Sequence, residues 1–314
     1  MKIANCKLQI DDKDVEPVTK RSSSKTLRRL FHNLQFAICN LQFAIAFLVL
    51  VIAATALAQR SPFMRREFRP ELVDRNGVPE WKNDERFKSD VFTFVRVRYS
   101  SGGGYGGRGG NWATDWPDSD LNFSYRLQEL TAIQSDPNGK ILDLTDEAIF
   151  DYPWMYLIEP GRMSLSEAEV VGLRKYLLNG GFVMVDDFWG DYEYQNFYDN
   201  IKRVFPDREP LELPLEHEIF HCVYDLKKKP QVPSIHSWQA TGETFERGHG
   251  GDVETVHYKG IFDDKGRMMM IICHNTDLGD GWEREGESVE YFKEFAEKWS
   301  YPMGINIVTY AMTH

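Results

Sequence analysis

Cysteine is scarce in this chain, four residues in 314, and two of them, Cys6 and Cys39, fall within the first 58 residues. So small a number excludes a disulfide-built scaffold. Cys222 and Cys273 sit among apolar neighbours, in "FHCVYD" and "MMMIICHN", and read as buried free thiols. A single bridge between them is the alternative in an oxidising compartment. The nucleophile elbows G-x-S-x-G and G-x-C-x-G do not occur, and on a strand the adjacent Cys273 and His274 point to opposite faces, so no covalent nucleophile stands ready. A phosphate-cradling G-x-x-x-x-G-K-[ST] is missing too, and the glycines of "SGGGYGGRGG" do not follow the dinucleotide-binding spacing. Positive charge is the last shortage. Lys and Arg number 37 against 48 Asp and Glu, and the first 58 residues alone carry eight against four, so the remainder is strongly acidic. Such a balance excludes nucleic acid as a partner and leaves room for cations.

The N-terminal stretch differs in kind. Lys25, Arg28 and Arg29 precede "FAIAFLVLVIAATALA", and Ala56-Leu57-Ala58 supplies an A-x-A cleavage pattern before Gln59, the sequence of a secretory signal peptide. The apolar run from Phe43 to Ala58 falls short of the roughly 20 residues that a membrane span needs, so a membrane is a partner only through an uncleaved leader. The leader repeats "NLQFAI" at 33–38 and 40–45, which points to a start codon set too far upstream or to a translated DNA repeat. The chain therefore divides into a basic leader and signal peptide (1–58), a polar segment (59–90) and a single α/β domain (91–314), exported to the periplasm or beyond.

Within that domain, "VFTFVRVRY" at 91–99 alternates apolar residues with Thr93, Arg96 and Arg98, which predicts a strand. "SDLNFSYRLQELT" spaces Leu121, Tyr125, Leu127 and Leu130 as a helix, and "KILDLT" reads as a short strand. "WMYLIEPG" is a continuous apolar run, the mark of a buried parallel strand. A helix follows, with Ser164 and Glu167 or Ser166 and Glu169 as its capping box and Gly180-Gly181 as its stop. "FVMVDDFWG" is the next strand, and an aromatic-rich helix runs to Phe205. Prolines and "ERGHGGD" make the chain irregular until "GRMMMIICHN", after which "ESVEYFKEFAEKWS" is helical and "GINIVTYAMTH" is helix or strand. This alternation predicts a doubly wound, mainly parallel sheet.

In such sheets ligands bind outside the carboxyl ends of the strands, so polar residues that end apolar runs are the candidate site: Glu159, Asp186, Asp187, His274 and Asp277, with Trp116 from the glycine-rich loop. Asp186 and Asp187 face opposite sides unless the turn begins between them. Either offers a metal ligand or general base, or caps the following helix. His274 can ligate, shuttle a proton or simply bond a carbonyl. Asp277, Asp280 and Glu283 miss the calcium-loop spacing and read as a solvated turn. One further string needs weighing. His217-Glu218-Ile219-Phe220-His221 fits H-E-x-x-H, which binds zinc only where a helix puts both imidazoles on one face. The metzincin continuation requires Gly at 224 and His at 227, where Tyr224 and Lys227 stand.

From Val91 to His314 the chain resembles a bacterial family, the domain of unknown function numbered four-one-five-nine, in "FTFVRVRY", "WATDWPDSDLNFSYRL", "YLIEPGRMSLSEAEVVGLRKYLLNGGFVMVDDFWG", "REPLELPLEHEIFHC" and "GIFDDKGRMMMIICHNTDLGDGWERE". The resemblance implies a class I glutamine amidotransferase-like, flavodoxin-like fold. No cysteine stands where amidotransferases carry theirs, so glutamine hydrolysis does not transfer. The expectation is an exported protein with a binding cleft for a small molecule, a glycan or a protein. The alternatives are a hydrolase using carboxylate and histidine, or a zinc peptidase through His217, Glu218 and His221. No cofactor is named by the pattern.

Overall fold

The computed structural model describes residues 74–87, 90–101 and 111–314. The expected signal peptide, the "NLQFAI" repeat, the start of the polar segment and residues 102–110 of the glycine-rich loop lie outside the described residues. The chain divides into two units, Met1–Glu67 and Phe68–His314, and every described residue belongs to the second.

Seven strands form one sheet: β1 (Val95–Arg98), β2 (Lys140–Asp143), β3 (Trp154–Ile158), β4 (Phe182–Asp186), β5 (Leu211–Glu212), β6 (His257–Phe262) and β7 (Met268–His274), in the order β2-β1-β3-β4-β7-β6-β5. The first five in that order are parallel, and β6 and β5 extend the edge with antiparallel pairs. The mainly parallel, doubly wound α/β arrangement read from the sequence is therefore present. The irregular stretch after Pro206 hides a hairpin strand, β6, that alternation did not announce. Its side chains mix His257, Lys259 and Gly260 with apolar residues, and its pairing with β7 supplies what local pattern lacks.

Helices cover both faces. They are α1 (Asp118–Leu130), α2 (Glu167–Leu178), α3 (Gly190–Val204), α4 (Ile235–Thr241), α5 (Leu278–Glu283) and α6 (Val289–Tyr291), the last continuing through a π-helical segment, Phe292–Ser300, into α7 (Tyr301–Thr313). "GINIVTYAMTH" is thus helical. Alternate residues of the central strands feed two cores. Tyr156, Met184, Ile271 and Cys273 pack with Leu127, Trp282 and Ile305 on one face; Met155, Val183, Val185 and Ile272 pack with Leu173, Leu177, Phe197 and Ile201 on the other. Helix α2 starts with the capping box of Ser166 and Glu169, and the second oxygen of Glu169 accepts the Ser100 amide at 2.8 Å, which ties the helix to the end of β1. Cys222 and Cys273 are both free thiols, the first only half-buried.

The register fixes where the loops leave. Ile158 pairs with Asp186, and Val185 with Ile272, so Glu159, Asp187 and His274 emerge at one level. Because β2 lies on one side of β1 and β3 on the other, the winding reverses there, and the loops after β1 and β3 splay apart. No described helix is long and apolar enough to cross a membrane.

Candidate functional site

Four acidic or amide residues at this rim have left-handed backbones: Asp115 (φ 62°), Glu159 (φ 45°), Asp187 (φ 55°) and Asn275 (φ 60°). Non-glycine residues adopt this region at a cost, and such strain gathers where side chains are aimed for a purpose. At Asp187 the left-handed turn begins one residue beyond β4, the case in which the two adjacent aspartates need not face opposite sides. Asp186 stays on the sheet face. Its Oδ2 accepts the Tyr156 hydroxyl at 2.9 Å and the Gly279 amide at 3.0 Å, while Oδ1 is buried without a partner.

Asp187 meets two other carboxylates. Asp115, Asp187 and Asp277 bring one oxygen each within 4.8 Å of one another, and Asp115 forms a second such group with Asp280 and Glu283. Each arrives from a different part of the chain: Asp115 from the loop after β1, Asp187 from the end of β4, Asp277 as the N-cap of α5. Asp277 Oδ1 accepts the Asp280 amide at 2.7 Å, and Asp187 Oδ1 accepts the Trp189 indole N–H at 3.3 Å. Among the described residues no lysine or arginine side chain bonds to any of the three. Burial, then the neighbouring carboxylates, pushes the pKa of each of the three well above the ordinary aspartate range. Burial likewise lifts Asp186 to about 7. Glu159, raised by burial, accepts from the Asn111 amide. Asp115, Trp116, Glu159 and Asp187 remain partly exposed, so solvent reaches the group.

Beneath the loop that carries Asp115 lies a buried pair that the alternation of "VRVR" concealed. Arg96 is fully buried, as is all but 4 % of Asp120. The Arg96 guanidinium donates to Asp120 at 2.5–3.1 Å, to Ser119 Oγ at 2.8 Å, and to the carbonyls of Trp112 (3.1 Å) and Thr114 (2.8 Å). These carbonyl bonds clamp the backbone immediately before Asp115.

A third group borders the rim. His249 bonds Glu193 at 3.1 Å and faces Glu246 at 3.7 Å; these carboxylates raise its pKa to about 10, and Glu246 in turn adds to the negative field at Asp187. Its segment lies close to α3. A Cβ on Gly190, itself left-handed at φ 69°, would stand 2.1 Å from the Gly250 carbonyl oxygen.

Of the residues singled out in the sequence, the structure gathers Asp187 and Asp277, with Asp186 and Glu159 beside them and Trp116 next to Asp115 in the same loop. His274 is not gathered with them. It lies on the opposite sheet face from Asp186, its ring against Phe188, Tyr194 and His257 and its Nε2 at 3.1 Å from the Gly190 carbonyl, and burial lowers its pKa to about 4. Two expectations are corrected. Asp277, Asp280 and Glu283 belong to a short helix with a buried stem, Leu278–Trp282, rather than to a solvated turn. The zinc reading fails on geometry: Glu218–Phe220 is a single 3-10 turn, His217 caps it by accepting the Ile219 amide at 3.2 Å, and both ring nitrogens of His221 are taken, by Asp225 and by the Leu215 carbonyl at 2.7 Å each. Sequence reasoning missed Asp115. It stands after a strand end just as the other candidates do, but sixteen residues, many of them glycine or aromatic, separate it from β1.

No curated protein matches the chain. Residues 93–312 match the family model described as "Domain of unknown function (DUF4159)", and the chain belongs to that family.

Proposed function

We propose that this is an exported binding module of flavodoxin-like, amidotransferase-like build, whose ligand docks at the rim where the sheet winding reverses, on Asp115, Asp187 and Asp277 with Glu159 and Trp116 at the border. The observation that carries this is the meeting of three carboxylates from three distant segments, two of them on left-handed residues, with no basic side chain bonded to them among the described residues. An arrangement of that kind opposes folding, because each added charge repels the others in a poorly hydrated setting. Sites retained against stability are sites of function. The field is acidic, so the ligand is electropositive or a neutral polyol such as a glycan, rather than a free anion. The alternative of a carboxylate and histidine hydrolase loses support from the position of His274 on the other sheet face.

The test needs no ligand. Asparagine tolerates the left-handed backbone and keeps an oxygen for the Trp189 indole, so Asp187→Asn is expected to raise stability in metal-free buffer by about 0.5–2 kcal/mol, read as a higher midpoint in urea. A clear loss of stability would mean that Asp187 is a structural group and would overturn the proposal.

A further inference from the structure

We infer that Asp115, Asp187 and Asp277 hold one hard divalent cation, of the Mg²⁺, Mn²⁺ or Ca²⁺ class, through one oxygen each; this deepens the binding-module reading and rests on it. Oxygens around such an ion lie about 2.0–2.6 Å from it, so two of them are separated by roughly 3–5 Å, the span within which these three oxygens fall. All three donors are carboxylates. That set suits hard cations and disfavours the zinc and copper sites built on imidazole and thiolate.

Acidic clusters are common on protein surfaces and signify little alone. The second observation is independent of the cluster. Asp186, which is not one of the three, is fully buried and its Oδ1 has no hydrogen-bond partner. The carboxylates of Asp186 and Asp115 both approach Gly279 through their Oδ2 atoms. Its amide bonds Asp186 Oδ2 at 3.0 Å, and a Cβ there would stand 2.6 Å from Asp115 Oδ2 and 2.7 Å from the Tyr156 hydroxyl. Buried carboxylate oxygens without donors are costly, and a cation at this point, with its water shell, supplies the missing partners. Asp186 then orients the cation's water from behind the first ring of ligands. Arg96 is placed to help as a positioning residue, since its bonds to the Trp112 and Thr114 carbonyls hold the backbone on which Asp115 sits.

Trp189 gives the site its own reporter, because its indole nitrogen lies 3.3 Å from Asp187 Oδ1. The experiment uses the full chain, with Mn²⁺ titrated calorimetrically and Tb³⁺ as a luminescent substitute excited through tryptophan. One Mn²⁺ per chain is expected, with affinity at least tenfold weaker in Asp187→Asn and in Asp277→Asn. Sensitised Tb³⁺ emission should fall severalfold in Trp189→Phe. If Mn²⁺ binds but neither variant weakens it, the ion sits elsewhere and the inference is overturned. If Mn²⁺ does not bind at millimolar concentration, the inference also falls; the binding-module reading then stands if Asp187→Asn raises the urea midpoint and falls with it if the midpoint drops. Urea midpoints of both Asn variants show that they are folded.

Discussion

Arg96 with Asp120, and the trio Asp115, Asp187 and Asp277, are neighbouring clusters of charge at one end of one sheet, yet they are built on opposite principles. In the first, a single positive group is matched by a carboxylate, a hydroxyl and two carbonyls, and almost nothing is exposed. The second is three carboxylates with one oxygen each within 4.8 Å of the others, and among the described residues no lysine or arginine side chain is bonded to them. The difference teaches which cluster the fold depends on and which one the fold merely tolerates. A matched buried charge becomes costly only when one partner is removed, whereas an unmatched cluster is costly as it stands. The group around His249 lies between these extremes, one imidazole between Glu193 and Glu246.

The contrast is sharpest when each cluster loses one member. Asp120→Ala leaves the Arg96 guanidinium buried without its carboxylate, and a loss of about 3–5 kcal/mol is expected in denaturant unfolding. A loss below 1 kcal/mol would show that the two clusters do not differ as argued. The opposite sign is expected for Asp187→Asn, as set out above.

Acidity separates the clusters next. A carboxyl whose folded pKa is raised above its unfolded value stabilises fully below the unfolded value and loses that stabilisation as pH rises through the folded one. Asp186, lifted to about 7, and the trio, lifted well above the normal range, therefore make the metal-free protein less stable as pH climbs from 6.5 to 8. His249, raised to about 10, acts in the same direction, its stabilisation being present below about 6.5 and lost as pH rises through 10. His274, lowered to about 4, acts only when pH falls below about 6.5, where its preference for the neutral form costs stability. Unfolding midpoints between pH 6.5 and 8 should fall in the wild type, fall less in Asp187→Asn, and fall less again when His249→Gln is added. A wild-type midpoint that rises over this window would contradict the uncompensated state of the trio.

The smallest effect is expected outside both clusters. His221→Ala removes an exposed contact with Asp225, and it should change stability by no more than about 0.5 kcal/mol and leave Mn²⁺ binding as it was. Zinc bound stoichiometrically by the wild type and lost in this variant would revive the H-E-x-x-H reading against the 3-10 turn seen here.

Much of the frame was legible. The runs at 154–158, 182–186 and 268–274 are buried on both sides, and a strand buried on both sides must be apolar along its length, whatever surrounds it. Ser166 with Glu169 marked the start of α2 because a capping box closes within four residues and needs no distant partner. Arg96 was not legible as a core residue, since its burial is tolerable only because Asp120, Ser119 and two carbonyls are brought to it from another segment. Strand β6 was hidden for the same reason, its order coming from pairing with β7 rather than from its own pattern.

The amino-acid order by itself determined the alternation of strand and helix, the polar, largely acidic residues at strand ends, and the lack of a nucleophile-elbow motif, because each of these is written in neighbouring residues. Only the tertiary structure decided that Asp115, Asp187 and Asp277 meet while His274 turns to the opposite face. That outcome depends on strand order, on register and on which residues enter the left-handed turn, and these are set by contacts between segments distant along the chain.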